Sequence, residues 1–191
     1  MTYDFTERLL FSKGARKDSD IETIVSLLDG CVDVKEHHSN GDDKGVDYIA
    51  TLRRGTQVLI DAKTREAGCS RFWSNGPELA IESWSVKPGG KFETHRANAK
   101  AGWTVDESKL TDMILYTFSP KDCDTAFLLP FQPLRMAARR NLKDWMGRYK
   151  VDTQTSGNWQ SEAVFVPADV VILAMESTYR GQQKQSNQKP Q

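Results

Sequence analysis

Cysteine is scarce and badly spaced for structural work: Cys31, Cys69 and Cys123 are the three in 191 residues, odd in number and without a CxxC pair. This excludes a disulfide framework and a cysteine-built zinc site, and it fits a reducing compartment. Net charge is missing too, since 26 Lys and Arg balance 26 Asp and Glu. No global field therefore draws the chain to nucleic acid, and any affinity for phosphate must rest on local clusters. The sequence has no signal-peptide pattern and no apolar run long enough to span a bilayer, so a cytoplasmic protein with no membrane partner is expected. No Walker loop, dinucleotide fingerprint, Ser-His-Asp order or internal repeat occurs. His37 and His38 stand together in a polar loop without the spacing of zinc ligands and read as surface.

What remains is an ordinary soluble composition, 38% hydrophobic and 27% charged, in a length that suits one domain. That domain is expected over residues 1–176, with a disordered tail over 177–191, where Gln, Lys, Ser and Asn dominate. A first helix is expected from Ser19, since Ser19-Asp20-Ile21-Glu22 has capping-box spacing and Ile21, Ile24, Val25 and Leu28 follow at helical intervals. Cys31 to Lys35 reads as a short strand. Two further strands, 45–52 and 57–63, flank the turn Arg53-Arg54-Gly55-Thr56. Residues 78–86 read as another strand, with a short helix as the alternative, and 87–102 as a long polar loop. A second hairpin is expected across Ser119-Pro120-Lys121-Asp122. A helix follows from Pro133 to about Tyr149, with Leu134, Ala138, Leu142, Trp145 and Tyr149 as its apolar stripe. Ala163–Val166 and Val170–Met175 read as strands separated by Pro167. This order of helices and strands favours an α/β fold, a mixed central β-sheet flanked by helices.

One constellation carries chemistry. Strand alternation puts Leu59, Asp61 and Lys63 on one face, and pairing through the turn brings Asp47 of the neighbouring strand beside Asp61. Two carboxylates and a lysine in an apolar hairpin are costly to desolvate. The carboxylates repel one another unless a cation neutralises them, and oxygen donors without His or Cys suit Mg²⁺ or Mn²⁺. Such a metal can polarise a phosphate and lower the pKa of a bound water, and Lys63 would face the same site. Together these describe a phosphodiester hydrolase. The plain alternative makes Asp61 and Lys63 exposed residues of an edge strand, paired with cross-strand neighbours.

In these residues the sequence resembles the PD-(D/E)XK nuclease superfamily, whose signature is an acid followed by a strand carrying (D/E)-x-K. Asp47 matches the first acid and Asp61-Ala62-Lys63 the second part, with Val46 where many members have proline. The bare spacing is common in charged chains, and its placement in apolar strands after a helix is what gives it weight. The resemblance runs from about Ser19 to Trp84 and is with resolvase-like and phage-type members. It implies a restriction-endonuclease-like core and a Mg²⁺-dependent deoxyribonuclease, with Asp47, Asp61 and Glu22 at the metal and Lys63 as the catalytic lysine. Glu22 matches an acid on the preceding helix of the resolvase-like branch; it is equally well placed for a capping box. Glu82 matches an acid on the next strand of phage-type members, or is a solvated strand residue.

The expected partner is DNA, including branched, nicked or single-stranded forms. Lys87, Lys91, Arg96 and Lys100 crowd the long loop among Trp84, Phe92 and Trp103, an arrangement that suits stacked bases or a mobile loop anchored by its tryptophans. Arg135, Arg139 and Lys143 repeat every four residues on the late helix, as a phosphate-following stripe or a merely solvated face. Size and resemblance together are compatible with a phage or mobile-element enzyme working in a bacterial cytoplasm, and with a homodimer. Two other functions fit the same sequence: a non-catalytic DNA- or protein-binding module on this fold, such as a phage anti-defence factor, and an RNA-directed hydrolase.

Overall fold

The computed structural model describes residues 17–37, 45–87, 99–156 and 159–186. Two compact units divide the chain. The first comprises Met1–Cys69, Glu107–Pro130 and Thr155–Trp159; the second comprises Ser70–Asp106, Phe131–Gln154 and Gln160–Gln191. Among the described residues the architecture is mixed α/β, with three α-helices and two sheets.

The first unit is built on a five-stranded sheet. Its strands are β1 (Cys31–Glu36), β2 (Tyr48–Leu52), β3 (Gln57–Arg65), β6 (Met113–Phe118) and β7 (Phe127–Pro130), in the order β1-β2-β3-β6-β7. The sheet is mixed, because β3 and β6 run parallel while the other neighbours are antiparallel. The expected β2–β3 hairpin forms, closed by Leu52 N–H to Thr56 C=O at 2.9 Å and Gly55 N–H to Leu52 C=O at 2.8 Å. Gly55 takes a φ of 78°, which a side chain would resist. The second hairpin, β6–β7, also forms.

Helix α1 (Lys17–Leu27) covers one face of this sheet. Ile24 packs with Tyr48, Ala50, Ile60 and Leu115, and Ile21, Leu28, Val58 and Ala62 complete the cluster. Because α1 starts at Lys17, Ser19 already lies inside the helix, where its carbonyl accepts the Thr23 hydroxyl at 2.7 Å. The capping box expected at Ser19–Glu22 is therefore displaced. The helix presents Asp20 inward instead, 4% exposed, and its carboxylate accepts the Tyr48 hydroxyl at 3.1 Å. Burial, then the Asp20 charge, pushes the Tyr48 hydroxyl well above its ordinary pKa, so it stays a donor.

The second unit carries a four-stranded sheet, β5-β4-β9-β8, with β4 (Glu78–Val86) paired antiparallel to β5 (Lys100–Ala101) and β9 (Trp159–Pro167), and β8 (Val151–Ser156) beside β9. Helices α2 (Phe131–Arg148) and α3 (Ala168–Ser186) pack against each other. Helix α2 buries Phe131, Leu134, Ala137, Ala138 and Trp145; it starts two residues ahead of Pro133 and stops before Tyr149. The segment Val170–Met175, expected as a strand, is helical. Its β-branched run imitates a strand, but Val171, Met175 and Thr178 are buried at helical spacing while Leu173 is 61% exposed. Residues from Ser177 to Ser186, expected in a disordered tail, are the last turns of α3. No helix among the described residues is long and apolar enough to cross a membrane.

The Tyr48–Asp20 bond predicts that Tyr48→Phe will destabilise the first unit by about 1–2 kcal/mol, because a buried carboxylate loses a donor. Urea unfolding of the two chains measures it, and equal midpoints would contradict the assignment.

Candidate functional site

β3 alternates across the sheet. Val58, Ile60 and Ala62 join the cluster beneath α1, so Leu59, Asp61 and Lys63 point to the opposite face. Asp61 is 1% exposed there. Its Oδ1 takes an ion pair from Lys63 Nζ, and Lys63 is itself only partly exposed. Asp47 lies just ahead of β2 rather than inside the strand. Its main-chain N–H donates to Ile60 C=O at 2.8 Å, and its Oδ2 accepts the Ala62 N–H at 2.8 Å in place of a backbone carbonyl. Its carbonyl accepts the His37 N–H at 2.8 Å. Unlike Asp61, Asp47 is exposed.

Burial raises the Asp61 carboxyl to a pKa of about 6, Lys63 opposes the shift, and the charge and hydrogen bond of Asp47 add to it. The Asp47 carboxylate therefore lies near enough for its charge to act on Asp61. The pair offers hard oxygen donors on one face of the sheet. Mg²⁺ is commonly held by one or two carboxylates plus substrate phosphate, so the donor set fits that ion, with Asp47 and Asp61 as the residues that would hold it. Among the described residues no three His, Cys, Asp or Glu side chains gather at one point, so Glu22 does not join them. Glu22 is exposed, and the physical reason is helical phase: it lies two residues from the inward-facing Ile24, on nearly the opposite side of α1. The sheet face that α1 covers is also the one opposite Asp61.

Within the second unit, Glu82 has structural work. Its Oε2 accepts the Trp103 N–H at 3.0 Å and the Ser85 hydroxyl at 2.7 Å, while its own N–H donates to Thr104 Oγ1 at 3.1 Å. The chain at Gly102 passes so close to the Glu82 and Ser83 backbone that no Cβ would fit. Lys87 pairs with the buried Glu162, which also accepts the Ser83 hydroxyl at 2.9 Å. Arg135 donates to Asp106 C=O at 3.2 Å and Arg139 to Val105 C=O at 3.1 Å, so the first two members of the helical stripe pin the 102–106 turn. Lys100 and Lys143 are exposed; Lys91 and Arg96 lie outside the described residues, as do His38 and Phe92.

Two residues at the site were missed in the sequence. Gly45 has a φ of 70°, and a Cβ there would stand 2.9 Å from Asp61 Oδ2 and 2.9 Å from Lys109 Cδ. Lys109 thereby reaches the same point from the segment before β6. A glycine two positions ahead of the acid hinted at a close approach. Nothing local marked Lys109, whose place depends on how β6 docks beside β3. Comparison with protein-family models, with curated proteins and with solved structures gave no match.

The raised Asp61 carboxyl gives a signed prediction. Its folded value of about 6 lies above the ordinary 3.8, so the folded chain binds more protons between these values, and stability falls as pH rises through that window. The cost above pH 6 is on the order of 3 kcal/mol. Asp61→Asn will remove this dependence and be more stable than the parent at pH 8, as read by urea midpoints across pH 4–8. Identical pH profiles for the two chains would refute the burial of a charge at Asp61.

Proposed function

We propose that the β2–β3 hairpin is the active site of a metal-dependent phosphodiesterase acting on nucleic acid, with DNA as the first substrate, in a core of the restriction-endonuclease type. The observation that carries this reading is the Asp61 carboxylate, buried in mid-strand with Lys63 on one oxygen and Asp47 beside it. Asn or an apolar residue would serve folding better at that position, because an ionised buried carboxylate costs stability unless fully compensated. Retention of the acid, a second acid and a lysine on one face is what phosphoryl chemistry requires.

A divalent ion bound between Asp47 and Asp61 would supply Lewis-acid stabilisation of phosphoryl charge and an acidified water. The residues divide the remaining work. Asp61 must be ionised to hold the cation, so protons compete with the ion for this carboxylate and binding weakens as pH falls. Asp47 is tied to the Ala62 N–H through one oxygen, which fixes the orientation of the other. Lys63 neutralises Asp61, and its ammonium would also be placed to reach a non-bridging phosphate oxygen or the attacking water. Glu22 and Glu82 have no part in this scheme. Size and charge balance leave a homodimer compatible with the reading.

The test is direct. The protein is incubated with supercoiled, linear, branched and single-stranded DNA and with RNA, in Mg²⁺, Mn²⁺ or EDTA. Cleavage is expected in either metal, abolished by EDTA and reduced at least about 100-fold in Lys63→Ala and Asp61→Ala. Cleavage that survives both substitutions would refute the site. Binding without cleavage in any metal would make the chain a binding module, and cleavage of RNA alone would change the substrate.

A further inference from the structure

We propose that Lys109 is a second cationic arm of the Asp61 site and holds a backbone phosphate of the nucleic acid there. The inference rests on the phosphodiester reading for its ligand and on separate geometry for its residue. The two oxygens of Asp61 are engaged differently: Oδ1 takes Lys63, and Oδ2 lies against Gly45. The position of a Cβ on Gly45 would be 2.9 Å from Oδ2 and 3.1 Å from Lys109 Nζ. Asp61 Oδ2 and Lys109 Nζ therefore lie within about 6 Å of one another, a range over which opposite charges interact strongly near a protein surface.

Lys109 is brought there by the fold. The residues after it are stitched to β3: Thr111 Oγ1 donates to Leu59 C=O at 3.0 Å, Asp112 N–H donates to the same carbonyl at 2.8 Å, and Asp112 Oδ2 accepts the Leu59 N–H at 2.9 Å. These bonds fix the chain two residues upstream of Asp61 on β3, and Lys109 itself is half-buried. Any side chain at position 45 would push it away, and a φ of 70° already selects glycine.

Charge sets the direction of the effect. Asp47, Asp61, Lys63 and Lys109 sum to zero, so the site with a divalent cation carries two positive charges and attracts a phosphodiester. Without Lys109 it would carry one. Lysine serves such a site as a point charge on a flexible stem, able to move from its resting contacts to a phosphate oxygen.

The test measures binding apart from cleavage. Anisotropy of a short fluorescein-labelled duplex, and of the corresponding single strand, is followed in EDTA and in Ca²⁺ over a range of salt for the parent, Lys109→Ala, Lys109→Arg and the exposed-surface control Lys121→Ala. The Kd should rise about tenfold in Lys109→Ala. The slope of log Kd against log salt should fall by about 0.7–0.9, with Arg restoring both and Lys121→Ala moving neither. Lys109→Gln, which keeps the aliphatic stem, replaces the Ala variant if that chain melts early. Unchanged Kd and slope overturn the proposal, as does a loss that Arg fails to restore, or a parent chain that binds neither probe. Metal-dependent cleavage with binding indifferent to Lys109 leaves the hydrolase standing and removes only the arm. Lys109-dependent binding without cleavage in any metal does the reverse.

Discussion

The carboxylate of Asp61, sealed in the middle of β3, is the constraint around which the first unit is arranged. A carboxyl group with a pKa of about 6 is held against its own hydration, and the neighbouring groups limit that cost. Lys63 supplies charge along the strand and Gly45 lets the backbone close over the remaining oxygen, while the charge of Asp47 adds to the cost from the side. Each contact needs the others in place. The Asp47 carboxylate is oriented by the Ala62 N–H, which donates to its Oδ2. The hairpin is thus a frame that keeps two acids near one another with Lys63 paired to one of them, an arrangement with little value for folding alone.

The acids of the second unit are handled in the opposite way. The buried Glu162 is matched by Lys87 and Ser83, and the half-buried Glu82 by Ser85 and the Trp103 N–H, so both hold strands and turns. Arg135 and Arg139 likewise close onto the carbonyls of Asp106 and Val105. Lys87, Arg135 and Arg139, three of the residues expected at a nucleic-acid surface, are thus engaged in intramolecular bonds. The contrast separates two uses of a buried carboxylate: one fully hydrogen-bonded and structural, one close to a like charge and proton-hungry.

Much of the local structure was legible in the sequence. The β2–β3 and β6–β7 hairpins were marked by their turns, β4 by its pattern, and α2 by its stripe, and the alternation in β3 put Asp61 and Lys63 on one face before any fold was known. Failures came where two local signals competed. In α3 the run Val170-Val171-Ile172 favoured a strand by propensity, but burial of Val171, Met175 and Thr178 on one stripe decided for a helix. In α1 the capping-box spacing was present, and the helix still began earlier.

The sequence by itself determined which residues alternate and which turns close, because those are properties of a few consecutive backbone dihedrals. It also determined that two acids and a lysine share one hairpin. Only the tertiary structure decided that Asp61 rather than Asp47 is buried, that Asp20 rather than Glu22 faces the sheet, and that Lys109 arrives beside Gly45. Those outcomes depend on elements far apart in the chain, such as β6 docking parallel to β3. Burial is a property of neighbours in space, and it is burial that turns a carboxylate on a strand into a candidate site.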